Sequence, residues 1–479
     1  MNLAPVLAVA AVEAVADPIR LSFISIAYLA ASISFILGLR GLTKPDTARR
    51  GMQLALFGML AAIAGTLVNH HIVSYTMVLV GMAVGTIIGW PLGTRVAMTQ
   101  MPQRIAISHL FGALAASLVG IAEYYSHILE GSVPRAQMAA LGFEVLFGSL
   151  TVSGSFMAFG KLHEILPGHA ITFKGQNFVN LIIFGSATVL LVYLVVDPSA
   201  TWAFYTMVGI GFLSGFTLVL PIGGADMPVV VSLLNSYAGL AASATGFAIG
   251  NPVLIIAGAL DGASGFLLSV IMSKAMNRSF SNVLFGAFGS TTKAALSAGA
   301  KGEMKEVTME DAALALRYAK SVVVVPGYGL AVAQAQKTVG ELAELLEGHG
   351  NQVRYAVHPV AGRMPGHMNV LLAEANISWE KIVEMEEING QFHDVDVAVV
   401  IGANDVVNPA AKNDPASPIY GMPILNVDQA RRIFVLKRGK GAGFAGIEND
   451  LFVDEKTSLL FGDAKSTLQR LVTEMKTLG

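Results

Sequence analysis

The chain has 479 residues, 54% of them hydrophobic and only 13% charged. A typical soluble domain is about 25% charged, so most of this chain is not built for water. A net charge of −2 gives no basic footprint for nucleic acid, and the lack of cysteine excludes disulfides, thiolate catalysis and cysteine-ligated iron–sulfur clusters. The charges are uneven: residues 1–278 hold 12 Lys/Arg and 10 Asp/Glu, and the shorter remainder holds 19 and 23. Two solvents are implied, with a boundary near Arg278.

The chain opens on an apolar run, 3–16, interrupted by Glu13 and ended by Asp17. No Lys or Arg precedes it, so it lacks the charged start of a signal peptide, and 1–19 is read as an extra N-terminal segment. Nine apolar stretches then approach the roughly 20 residues that a membrane span needs. They lie at about 21–40, 53–69, 74–93, 105–126, 138–160, 178–196, 202–220, 227–247 and 253–276. Basic residues fall after the odd spans (Arg40, Lys44, Arg49, Arg50; Arg95, Arg104; Lys161, Lys174; Lys274, Arg278), and only Arg135 follows an even one. Positive loops stay inside, so the N-terminus is expected outside and the C-terminal part in the cytoplasm.

Ionisable groups within spans are costly and therefore candidates for function. His109 is placed about one turn into the fourth span, where it could load a proton or bond a neighbouring helix. Glu123 reads as an interfacial side chain, and Glu144 also lies toward the outside. Asn235, midway along the eighth span, could relay a hydrogen-bonded water chain or bridge two helices. Asp226 precedes that span in Gly223-Gly224-Ala225-Asp226-Met227-Pro228, as a helix cap or as a group at the junction with the soluble part. Asp261, in the ninth span, could line a wet cavity or bond a neighbour. His109, Asn235 and Asp226 together make a proton route.

Residues 279–306, rich in Gly, Ser and Ala, read as a flexible linker. Beyond it, strands at 322–325, 353–357, 395–401, 433–436 and 459–461 alternate with helices at 331–346 and 464–477. That alternation argues for a parallel, Rossmann-like sheet. The predicted architecture is thus a polytopic α-helical membrane domain of about nine spans (1–278), a linker, and a C-terminal α/β domain (307–479).

The first strand runs into Pro326-Gly327-Tyr328-Gly329-Leu330-Ala331-Val332, a relaxed dinucleotide fingerprint whose glycines let backbone approach a pyrophosphate. An NAD site would end the second strand in Asp or Glu; here it ends in Val357-His358-Pro359-Val360-Ala361-Gly362-Arg363. Arg363 and the pair Lys437-Arg438 could instead hold a 2′-phosphate, which favours NADP, although Lys437-Arg438 could equally be a solvated strand end. Gly402-Ala403-Asn404-Asp405 closes the third long strand, and the Gly-rich basic loop 437–444 could cover a nucleotide. Asp463 reads as a plain helix cap or as part of the site. No metal site is read.

Several runs resemble the family of β subunits of proton-translocating NAD(P)+ transhydrogenases. They are 222–232, 274–279, Pro326-Gly327-Tyr328-Gly329, 358–374, Gly402-Ala403-Asn404-Asp405 and Gly462-Asp463-Ala464-Lys465, and the likeness extends from about residue 20 to the end. The resemblance implies reversible hydride transfer between NADH and NADP+ coupled to proton translocation, with NADP(H) on this chain. It implies NAD(H) on a separate α subunit, a dimer of αβ units and a bacterial-type inner membrane. It assigns the proton channel to His109, Asn235 and Asp226. It assigns nucleotide contacts to Tyr328, Val360, Ala361, Gly362, Arg363, Met364, Pro365, Gly402, Ala403, Asn404, Asp405, Val406, Gly421 and Met422, to Lys437, Arg438, Gly439, Lys440, Gly441, Ala442, Gly443 and Phe444, and to Asp463 and Ala464. Gly439 stands where relatives are expected to carry Ser, and Phe444 where Tyr is expected. No side chain is expected to act as a covalent or acid–base catalyst. A transporter gated by an NADPH-sensing domain is the alternative, and a quinone-reducing dehydrogenase is weaker because no second redox motif is present.

Overall fold

A computed structural model describes residues 18–68, 75–96, 100–131, 133–167, 171–223, 226–276, 280, 302–364, 366–415, 417, 419–439 and 447–478. The N-terminal stretch 1–17, most of the expected linker, Pro365 and the basic loop from Lys440 to Phe444 lie outside these residues.

Among the described residues nine helices are long and apolar enough to cross a membrane. They are α1 (Pro18–Gly41), α2 (Pro45–Leu67), α3 (Tyr75–Thr94), α4 (Met101–Glu130), α5 (Arg135–Leu162), α6 (Gln176–Val196), α7 (Thr201–Val219), α8 (Met227–Ala248) and α9 (Pro252–Ala275). Proline occupies the first turn of α2, α4, α8 and α9, where its missing N–H costs nothing and its fixed φ suits a helix. Asn251 caps α9, its side chain accepting from the Leu254 N–H at 3.2 Å. The helices α1, α4 and α5 exceed the expected apolar stretches at both ends, because polar first and last turns still satisfy the helical ladder. His109 therefore sits two turns into α4, deeper than the single turn expected.

Small residues bring the helices together. A Cβ on Gly239 of α8 would fall 2.9 Å from the Gly262 Cα of α9, so these backbones are already in contact. Hydroxyls fasten the same seam: Ser232 donates to the Gly265 carbonyl (3.0 Å), Ser236 to Gly262 (2.7 Å) and Ser243 to Ile255 (3.1 Å). In lipid these bonds replace partners that water would supply.

The C-terminal part is built from α10 (Met309–Tyr318), β1 (Ser321–Pro326), α11 (Tyr328–Val332), α12 (Gln336–Gly348), β2 (Gln352–Val357), α13 (His367–Glu374), β3 (Ile382–Glu384), β4 (Val397–Ile401), β5 (Arg432–Lys437), β6 (Thr457–Phe461) and α14 (Ala464–Thr477). The six strands form one parallel sheet in the order β3-β2-β1-β4-β5-β6. Valine and isoleucine alternate between two apolar layers. Val322, Val324, Val397 and Val399 face α10, α12, α13 and α14, while Val323, Val325, Ala398 and Val400 face Phe392, Leu425 and Phe452. Burial on both faces is why these strands read as continuous apolar runs.

Three expectations are corrected here. The helix expected at 331–346 is two helices, because Gln334 takes a left-handed φ of 50° between α11 and α12. The strand expected from 395 begins at Val397, since the Val395 N–H closes a turn on the Phe392 carbonyl. The stretch read as the end of the linker runs along β6: Leu459 donates to the Lys305 carbonyl at 2.8 Å and accepts from Val307 at 3.2 Å.

Candidate functional site

The sheet places the ends of β1, β2, β4, β5 and β6 along one edge, and its order reverses between β1 and β4, where α/β sheets bind ligands. At this point two turns interlock. The Gly327 N–H donates to Ile401 (2.9 Å) and the Gly329 N–H to Gly402 (3.0 Å). A Cβ on Gly329 would lie 2.7 Å from the Gly402 Cα, and Gly402 itself holds φ +67°. Only glycine allows this approach. The fingerprint thus works through close backbone contact; α11, five residues long, adds little dipole. Val332, its last residue, is exposed.

The other expected contacts gather along the same edge. Asn404 is held by Asn449, whose Nδ2 donates to its carbonyl and its side-chain oxygen, both at 3.0 Å. Asp405 opens a short 3-10 turn, and the Val406 carbonyl accepts from Leu425 at 2.9 Å. Gly421 takes φ +79° and donates to Ala411 at 2.8 Å, and Met422 packs against the small cluster of Ala411, Ile419, Ile424 and Ile447. Lys437 ends β5 with its ammonium 5.4 Å from the Phe452 ring, and burial pushes its pKa down. Arg438 and Gly439 follow. Asp463 caps α14, its carboxylate accepting from Lys465 and Ser466 at 3.1 Å, so the helix-cap reading holds. Ala464 opens that helix and packs on the core.

Between β2 and α13, residues 358–364 form a loop shaped by His358 and by His367, the first residue of α13, to which the sequence reading gave no role of their own. His358 bonds through Nε2 to the Pro423 carbonyl (2.8 Å) and through Nδ1 to the Val360 N–H (3.2 Å). His367 accepts from the Arg363 N–H at Nδ1 (3.0 Å). Burial holds both imidazoles neutral; that of His367 is pushed down to about 4, with the Arg363 charge adding to the effect. Ala361 and Met364 are buried under the loop, and Gly362 takes φ +112°. The Arg363 guanidinium lies 4.4 Å from the Tyr328 ring centroid. It also donates to the Leu162 carbonyl (3.1 Å) and pairs with Glu164 (3.3 Å), so it touches the end of α5. Val360 packs on a cluster of Ala106, Leu162, Ile222, Met227 and Met272 from the membrane helices.

Inside the membrane part, Asn235 stands beside His109 and donates from Nδ2 to Asp261 Oδ1 at 3.0 Å. That bond joins α8 to α9, with α4 alongside. Asp226 is the residue before α8, but its side chain makes no capping bond there, so the cap alone does not account for it. Lys161, only 2% exposed, donates to the carbonyls of Val219 (3.3 Å), Leu220 (2.5 Å) and Ile222 (2.7 Å), anchoring the segment that leads to Asp226. The sequence reading saw Lys161 only as a positive loop residue. Glu123 pairs with His127 at 3.3 Å, while Glu144 is wholly buried facing Gly120 and Thr245, not at an interface. The structure brings His109 and Asn235 together and places Asp226 separately, just before the first residue of α8.

Residues 24–474 match the model of the family described as NAD(P) transhydrogenase beta subunit. The NAD(P) transhydrogenase subunit beta of Rhodospirillum rubrum is 46% identical over 456 residues, covering 94% of this chain and 98% of the relative. A second protein of that name, from a specified strain of the same species, matches with the same figures.

Proposed function

The chain belongs to the NAD(P) transhydrogenase beta subunit family, and from that premise we propose how its two parts perform reversible hydride transfer between NADH and NADP+ coupled to proton translocation. We read it as a membrane domain, 1–278, joined through 279–306 to a Rossmann-like domain, 307–479, that carries NADP(H). Basic loops put the N-terminus outside and the sheet domain in the cytoplasm, in a bacterial-type inner membrane. One dinucleotide fingerprint leaves NAD(H) to a separate α subunit, and the family likeness suggests a dimer of αβ units.

The residues present fit NADP(H). Gly327, Gly329 and Gly402 leave a surface that any Cβ would fill, and no carboxylate ends β2. Lys437 and Arg438 offer cationic groups suited to a 2′-phosphate, with Arg363 and Tyr328 across the edge. NADP(H), when bound, supplies the nicotinamide carbon that takes or gives the hydride; the protein orients it and excludes water.

One observation carries the coupling. The loop holding Val360 and Arg363, expected to contact the nucleotide, also touches Leu162, Glu164 and the inner apolar cluster of the membrane helices. A redox-dependent shift of that loop would reach the end of α5 and the Ile222–Asp226 segment that Lys161 holds. From there it would change the access of His109 to each side. Binding couplings are reciprocal, so protonation must alter NADP(H) affinity in turn.

The test adds a purified NAD-binding subunit to vesicles containing this chain and follows reduction of an NADP analogue by NADH beside a pH-sensitive dye. Coupled, uncoupler-sensitive pH change with hydride transfer is expected. Binding of NADP(H) without transfer across several NAD-binding partners would point instead to a sensor-gated transporter. Pumping that persists in His109→Ala would remove His109 from the route.

A further inference from the structure

His109 lies two turns into α4 from its inner end, and a proton must still cross the rest of that helix. The seam between α4 and α5 holds the groups to carry it. Glu144, in the outer half of α5, is 0% exposed, and neither of its carboxyl oxygens has a hydrogen-bond partner among the described residues. The carboxyl group presses on α4 at Gly120, where a Cβ would lie 2.9 Å from the Glu144 Cδ. Thr245 of α8 offers it no proton, because its hydroxyl donates to the Ala241 carbonyl at 3.0 Å. Ser117 of α4, packed against Gly148 of α5, and Ser155 of α5 are buried with unpartnered hydroxyls as well. Neighbouring hydroxyls on α5 bond back to their own helix, Ser149 to Val145 and Thr151 to Phe147, both at 2.7 Å. The His109 Nδ1 is the fourth group of this kind.

Helix geometry sets these groups in one row. Residues about 11 apart are three turns apart, share a face, and are separated by about 16 Å of rise. His109 and Gly120 are so related on α4, and Ser155 and Glu144 on α5. The two helices are antiparallel. Gly120 meets Glu144 and Ser117 meets Gly148, so the same register sets Ser155 level with His109. About two turns farther out on α4, His127 pairs with Glu123 at 3.3 Å and meets the Gln137 amide at 2.7 Å. Buried polar atoms without a protein partner are rare, and bridging water satisfies them.

We propose that Glu144 is the outer proton-binding group of the translocation route, linked to His109 by the Ser155 and Ser117 hydroxyls and bridging water, and to the outside at His127 and Glu123. This rests on the reading of His109 as the proton carrier. Each hydroxyl in the row gives up one hydrogen as it takes another, and the Glu144 carboxylate receives the proton as a carboxylic acid. Release toward His127 restores the carboxylate, so only a proton has moved. Carboxyl groups inside spans are costly and belong to such relays. No cation stands beside Glu144 to make it half of an ion pair instead. The helices α6, α7 and α8, which also pack on α5, bring Tyr193, Tyr205 and Tyr237 and no charged residue. On α5 itself Arg135 and Lys161 lie at the two ends. On α4, Arg104 is at the inner end, and Glu123, His127 and Glu130 are toward the outer one, with Tyr124 donating to the Pro198 carbonyl at 3.0 Å and Tyr125 exposed.

The test uses the assembled transhydrogenase in sealed vesicles. Glu144→Gln keeps the shape but cannot take up a proton, so pumping is expected to fall about 100-fold, as for a lost proton-transfer group, with the melting temperature unchanged. Infrared difference spectra of the carboxylic C=O stretch follow the group itself. A pH step on the outer side should change this band in the unsubstituted protein and in His109→Ala alike, because Glu144 lies outward of His109. Glu144→Asp shifts the band, which assigns it, and should recover part of the pumping. A band that ignores the outer pH overturns the proposal even if Glu144→Gln does not assemble. A Glu144→Gln protein that pumps as fast as the unsubstituted one overturns it too, and if His109→Ala has meanwhile lost pumping, the reading of His109 stands without it.

Discussion

The Arg363 guanidinium donates to the carbonyl oxygen of Leu162, the last residue of α5, at 3.1 Å. One cation thus joins a loop at the nucleotide edge to the end of a membrane helix, and it does so beside the Tyr328 ring. Arg363→Ala should weaken NADP(H) binding about tenfold, the worth of one charge-assisted hydrogen bond, and should lower pumping more than hydride transfer. Glu164→Gln should leave both within about twofold, because Glu164 is 75% exposed and such pairs contribute about 0–1 kcal/mol. Equilibrium titration of NADPH fluorescence, run beside the vesicle assay, separates the two.

Gly402 meets Gly329 backbone to backbone with φ +67°. Gly402→Val must relieve both a left-handed conformation and an overlap with Gly329. A loss of about 2–4 kcal/mol from strain and overpacking is expected. The melting temperature should fall, and added NADP+ should no longer raise it. A variant that melts lower yet keeps the full NADP+ shift would show that this turn does not shape the nucleotide site.

His358 and His367, on either side of the loop after β2, make the sheet domain sensitive to acid. Both are held neutral in the fold by burial, His367 down to about 4. Below pH about 6.5 the unfolded chain binds protons that the folded chain refuses. Stability contributed by the neutral His367 ring is therefore complete above that pH and is lost as pH falls toward about 4, and the neutral His358 ring acts in the same direction. Thermal melts at pH 7.5 and 5 should differ more for the unsubstituted protein than for His367→Gln, which has nothing to protonate. An equal difference in both would assign the acid sensitivity to other groups.

Much of this was legible in the sequence, and the rest was hidden for physical reasons. Apolar length announces a span, because lipid demands it of every crossing helix, and all nine helices fall on stretches that length alone marks. The strands β1 and β4 are visible because burial on both faces leaves Val322 to Val325 and Val397 to Ile401 wholly apolar. The three-residue β3 was missed because Ile382 to Glu384 is too short to show a period, and α10 because its buried Ala312, Ala313 and Leu316 follow a polar stretch. Gln334 carries no local sign of a helix break, yet its φ of +50° separates α11 from α12. Long-range bonds were the least legible. Nothing near Asn235 names Asp261, 26 residues on, and nothing near Lys161 names the carbonyls of α7.

Lys161 shows what such a bond does. Where α7 ends, the Val219 and Leu220 carbonyls accept from the Ile222 and Ile171 N–H groups at 3.2 Å, and the Lys161 ammonium adds a second bond to each. Its third bond, to Ile222, sets the start of the stretch toward Asp226. Lys161→Met keeps the length and the apolar stem but takes away the Lys161 bond to the Ile222 carbonyl, at about 1–3 kcal/mol for a buried acceptor left unpaired, while Val219 and Leu220 keep their backbone partners. The solubilised protein should melt several degrees lower. If the segment also transmits nucleotide state to the membrane, pumping per hydride should fall while NADP(H) affinity changes little. Lys161→Arg, able to donate to the same carbonyls, should recover part of both. A Lys161→Met protein that melts lower but pumps with unchanged stoichiometry would confine this lysine to holding α5 and α7 together.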